Sequence, residues 1–155
     1  MRFTIDNDGK GRVLLFKGGG VVSKLIEWQT RSEYSHAAIL YPDGEHIIES
    51  MQGVGVRTRR VVVGDLTAAD VFAVPALTVG QWRGVLDFCE RELGSGYDYR
   101  SIARFLTRTN GGSSESWFCS EIVFAAIESA GLRLLERTKS WKVSPGHLSL
   151  SPYLL

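Results

Sequence analysis

The feature that most constrains this chain is the tetrapeptide Pro42-Asp43-Gly44-Glu45, set between Ser35 to Tyr41 (SHAAILY) and His46 to Ser50 (HIIES). Two β-rich runs separated by so short a turn signal fold back on each other as an antiparallel hairpin. With the turn centred on Asp43-Gly44, Tyr41 faces His46, Ala38 faces Glu49 and His36 faces Met51. Side chains alternate along a strand, so His36, Ala38, Glu49 and Met51 project from one face. Glu49 is then a diagonal neighbour of His36 at about 7–8 Å, within reach of long polar side chains.

Further strands are predicted on either side. Arg12 to Lys17 (RVLLFK) is a short apolar run, Val54 to Val63 supplies another strand, and Asp70 to Pro75 (DVFAVP) a last one. The middle of the chain therefore reads as an antiparallel sheet of four or five strands. Gly18-Gly19-Gly20 reads as a tight turn leading into a helix over Val21 to Gln29. It does not match the phosphate-cradling pattern GxxxxGK[ST].

The second half is helical. From Thr78 to Leu93 the positions Val79, Trp82, Val85, Leu86, Cys89 and Leu93 recur at three- and four-residue steps, and the helix stops at Gly94. Cys89 lies on that stripe and is expected in the core, where a thiol behaves as a small hydrophobe. A second helix is expected over Tyr97 to Leu106, then a glycine and serine loop at Asn110 to Ser114. A third spans Trp117 to Ala130 and ends at Gly131. In the tail, SPGHLSLSPYL, two prolines punctuate a short helix or turn.

Composition excludes several classes. With 155 residues, 44% hydrophobic and 23% charged, the chain has the profile of one soluble globular domain, residues 1–155. A formal charge of +1 gives no field to draw it to nucleic acid or an anionic membrane. No stretch approaches the roughly 18 apolar residues of a membrane span, and no export signal is visible at the start, so a cytoplasmic protein or delivery by another route is expected. The three histidines and two cysteines fall in no metal-ligand spacing, so no metal or other cofactor is assigned. Oligomeric state stays open.

Chemistry centres on Cys119, in SWFCSE. With Ser116 as N-cap, Cys119 takes the third helical position, where free amides and the helix dipole favour a thiolate and offer an oxyanion site. Taken alone, Cys119 reads first as a core thiol, because it shares an apolar face with Ile122, Val123, Ala126, Ile127 and Ala130. His36 alone reads first as a structural or solvated edge histidine. Hairpin parity alters the balance by placing a carboxylate, Glu49, where it can orient the imidazole and stabilise its cation. Tyr34, two residues before His36, shares that face if the strand extends so far, and its hydroxyl could line the oxyanion or substrate site; packing is the alternative. Ser120 and Glu121 point elsewhere, Glu121 as favourable charge in the first turns of the helix. Arg57, Arg59 and Arg60 read as a solvated strand face, with anchoring of a substrate carboxylate or phosphate as the alternative.

The order LLFKGGG, YSHAAI, HIIES, GVGV, YDY, WFCSEIVFAA and SPGHL resembles the YiiX-like proteins, circularly permuted relatives of the NlpC-type, papain-like cysteine hydrolases. The resemblance runs from about Arg12 to Tyr153, anchored on the SH pair and the FCSE helix start. It implies an α+β, permuted papain-like fold: a small antiparallel sheet or barrel packed against a cysteine-bearing helix. It also implies a catalytic set of Cys119, His36 and Glu49, with the histidine preceding the cysteine in the chain. The expected activity is thiol-dependent hydrolysis of an amide bond in a peptide, with a cell-wall peptide as the first candidate. Acyl hydrolysis or transfer on a lipid and a non-catalytic binding module are the rivals. Relatives from bacterial envelopes often carry export signals, and none is visible here.

Overall fold

A computed structural model describes residues 1–18, 31–97 and 116–155. The helices expected over 21–29 and beyond Tyr97, and the glycine and serine loop, lie outside the described residues. Five strands form one sheet: β1 Arg12–Lys17, β2 Tyr34–Leu40, β3 His46–Met51, β4 Gly55–Arg60 and β5 Ala69–Phe72, in the order β4-β3-β2-β1-β5. Every neighbouring pair is antiparallel. The fold is α+β.

The β2–β3 turn is built as the sequence requires. Gly44 has a φ of 70°, a region that favours glycine, and Asp43 Oδ1 accepts the amides of Glu45 and His46. Ile39 pairs with Ile48 and Leu40 with Ile47, the register read from the sequence.

Both faces of the central strands are covered, which explains why β1 and β2 are near-continuous apolar runs. On one face Val13, Leu15, Ala37, Ile39 and Ile48 join Trp82, Val85 and Cys89 of α2 (Val79–Arg91) and Ile122, Val123, Ala126 and Ile127 of α3 (Cys119–Ser129). On the other, Leu14, Phe16, Ala38, Leu40 and Ile47 gather with Phe3 and Val61. The short helix α1, Val63–Ala68, contributes Ala68 to that second cluster.

Helix α2 begins in a capping box. The Gln81 amide donates to Thr78 Oγ1, and the Thr78 amide to Gln81 Oε1. Gln81 Nε2 also reaches the carbonyl of Ala130, joining the start of α2 to the end of α3. The closing α4, Pro145–Leu148, is capped by Ser144.

Three expectations need correction. The strand expected over Val54 to Val63 stops at Arg60, because Asp65 accepts the Val62 amide at 2.8 Å and starts α1 there. The strand expected from Asp70 to Pro75 is Ala69–Phe72. Ser116 is not the cap of α3: with Trp117 it forms β7, Ser116–Trp117, paired in parallel to β6, Gly96–Tyr97. Phe118 is therefore the N-cap and Cys119 the first helical residue.

Candidate active site

Two neighbours fix Cys119 in place. Behind it, Ser120 Oγ donates to the Val143 carbonyl at 2.6 Å. Glu121 accepts the Phe118 amide, a carboxylate in the first turn, where the helix dipole favours negative charge. Cys119 is the first residue of α3, so its sulfur lies at the helix start.

His36 meets Glu49 directly and feels the charge of Cys119. Its Nε2 lies 2.8 Å from Glu49 Oε2. That leaves Nδ1 as the second polar atom of the ring. Burial opposes a charged imidazole, but the charge and hydrogen bond of Cys119 and the carboxylate of Glu49 override it and push His36 up to about 10. The ring also tilts against Phe16, with centroids 5.4 Å apart.

Glu49 is fully buried, and its charge is met on every side. Burial would raise its pKa; His36 and Arg59 override this and hold it at about 2. Oε1 accepts Arg57 Nε and Nη2 at 3.1 and 2.9 Å and Arg59 Nε at 2.8 Å. Arg59 in turn grips Asp65 through a two-pronged contact, Nη1 to Oδ2 at 2.7 Å and Nη2 to Oδ1 at 2.9 Å. Only Arg60 of the basic run fits the solvated reading: it is exposed and pairs with Glu45.

No family model matches the chain. It is 27% identical to the "Probable lipoprotein peptidase YaeF" of Escherichia coli (strain K12), over 89% of this chain and 61% of that protein. This chain thus spans about three fifths of the relative's length. Among solved structures it superposes on the metalloprotein YiiX of Escherichia coli O157:H7 with a TM-score of 0.71, at 20% identity and covering 94% of each chain. The chain shares the fold of YiiX.

In this fold Tyr34 does not share a face with His36. The β1–β2 register shifts between Phe16 and Lys17, so Phe16 pairs with His36 but Lys17 with Tyr34. The bulge resets the alternation and turns Tyr34 into the cluster of Ala37 and Ile39. Its hydroxyl donates to Asp70 Oδ2 at 2.6 Å, and Lys17 Nζ lies 5.8 Å from its ring centroid. Burial and the Asp70 bond push the phenol up to about 12.

Arg57, Arg59 and Asp65 were not legible as part of the site. A signal existed: Glu49 pairs with Arg57 across β3 and β4, and Arg59 shares the face of Arg57 two residues on. Among the described residues no group of three His, Cys, Asp or Glu side chains could hold a metal ion. No described helix is long and apolar enough to cross a membrane.

Proposed function

We propose that this chain is a thiol-dependent hydrolase acting on an amide bond, with Cys119 as nucleophile, His36 as acid and base, and Glu49 orienting the imidazole. What supports this reading is the buried carboxylate of Glu49, 2.8 Å from His36 Nε2, with Cys119 near enough to add to the push of the imidazole up to about 10. In this chemistry the sulfur attacks as a thiolate, with the neighbouring imidazole as its proton partner.

Attack forms an S–C bond to the carbonyl carbon, and the oxyanion is met by amides at the start of α3. Collapse expels the amine, which takes a proton from His36. Water then adds to the acyl-enzyme, giving its proton to the now neutral His36, and the thiolate leaves. Tyr34 is left out of the reaction: it lies in the core cluster away from the face of His36, and its hydroxyl is taken up by Asp70.

The histidine strand preceding the cysteine helix fits a permuted papain-like arrangement. The relative YaeF, named a probable lipoprotein peptidase, supports a peptide as substrate. The neighbour YiiX is described as a metalloprotein, but the residues described here do not fit that role. Glu49 already accepts four hydrogen bonds from His36 and two arginines, surroundings that repel a cation.

The test is iodoacetamide labelling near neutral pH, with release from muropeptides and phospholipids followed by mass spectrometry. Cys119 should label faster than Cys89, and His36→Ala should slow it. Equal labelling, or indifference to His36→Ala, overturns the catalytic reading. Cleavage confined to phospholipid moves the same chemistry to a lipid acyl group.

A further inference from the structure

Glu49 presents two unlike oxygens. Oε1 receives all three arginine N–H groups, whereas Oε2 faces His36. A carboxylate with both oxygens open could rotate; one saturated on Oε1 by two guanidinium groups from β4 cannot, and Oε2 is left toward the imidazole. Arg57 and Arg59 are not equal in this. Arg57 is more exposed, and among the described residues its guanidinium bonds Glu49 alone. Arg59 is more buried and is clamped by the buried Asp65, which is itself fixed by the Val62 amide.

We propose that Arg59 is a positioning residue of the reaction: locked by Asp65, it fixes which oxygen of Glu49 faces His36 and balances the charge of that carboxylate. This rests on the thiol-hydrolase reading and deepens it. The charged groups around Glu49 are His36 from β2, Arg57 and Arg59 from β4, Asp65 from α1 and, beyond the imidazole, Cys119 from α3. Oε1 of Glu49 takes the charge-assisted bonds of both arginines, and Arg59 is shared with the carboxylate of Asp65. Removing Arg59 takes a positive charge away from a buried carboxylate that Asp65 still faces, and proton uptake by Glu49 is the cheapest relief.

The prediction is read on two independent signals: the carboxyl carbon resonance of Glu49 against pH, and the pH profile of Cys119 alkylation. In Arg59→Met, Glu49 binds its proton at least about tenfold more tightly, since losing one charge-assisted bond to a buried carboxylate is worth on the order of one pKa unit. The acid limb of alkylation moves up with it. Arg59→Lys recovers part of the shift, keeping the charge but losing the fork. Asp65→Asn moves both signals the same way by less, as does Arg57→Met.

A folded Arg59→Met protein whose Glu49 titrates as in the native chain overturns the proposal, as does a larger shift in Arg57→Met. If Arg59→Met does not fold, Arg59→Lys and Asp65→Asn carry the test: native titration in both is equally fatal. The two readings fail separately. An unreactive Cys119 in the native protein sinks the hydrolase, while the Glu49 resonance still decides whether Arg59 governs that carboxylate.

Discussion

Ser50 donates a 2.6 Å hydrogen bond to the backbone carbonyl of Trp117, tying β3 to the residue two before Cys119. Ser50 is fully buried, so no water replaces the bond when it is lost. Ser50→Ala should cost about 1–3 kcal/mol, the usual penalty for stranding a buried acceptor. It should also slow Cys119 alkylation by letting the start of α3 drift. Urea denaturation and timed labelling check both, and a variant of native stability with native labelling would show that the tether is idle.

Stability should vary with pH in two windows. His36 is raised from 6.5 to about 10, so its contribution is complete below about 6.5 and is lost as pH climbs toward 10. Glu49 is lowered from 4.5 to about 2, so its contribution is complete above about 4.5 and is lost as pH falls toward 2. Unfolding midpoints in urea should thus sit on a plateau between these windows. His36→Ala should flatten the alkaline fall, and an unchanged fall would remove His36 as its origin.

Gly55 is required by a close approach. Its φ is 89°, and a Cβ there would stand 2.2 Å from the Ser95 carbonyl oxygen. That oxygen accepts the Val56 amide, and the Gly94 amide returns to the Val56 carbonyl. Gly55→Ala should lose at least about 1–3 kcal/mol from backbone strain alone. Hydrogen exchange should show faster exchange at Val56 and Gly94; unchanged protection there would contradict the close fit.

Cys89 and Cys119 should part company under mutation. Burial pushes the Cys89 thiol up to about 12, so it stays protonated in the core near neutral pH. Cys89→Ser places a hydroxyl among Trp82, Val85 and Ile127 and should cost about 1–3 kcal/mol. Alkylation of Cys119 should keep its native rate, and a slowed rate would link the two cysteines through α2 and α3.

Local chemistry made much of the fold legible. The β2–β3 register followed from one turn, because Gly44 and Asp43 close it through contacts within four residues. The stripe of α2 was equally local, with Trp82, Val85 and Cys89 buried as spaced, though Val79 and Leu93 at its ends are exposed. What escaped depends on distant partners. Ser116 has the character of a cap, yet β6, some twenty residues earlier, draws it into a strand. Val61-Val62-Val63 reads as strand until Asp65 folds back on Val62. Arg57 and Arg59 read as a solvated face because the buried carboxylates that claim them lie on β3 and α1.

The extra residue between Phe16 and Lys17 pairing has a wider consequence. Without it, Tyr34 and His36 would be bound to one side of the sheet, and any exchange at one would press on the other. With it, Lys17, Tyr34 and Asp70 form a group of their own, joined to the histidine by chain but not by packing. A change in that group therefore leaves the contact of His36 with Glu49 as it is.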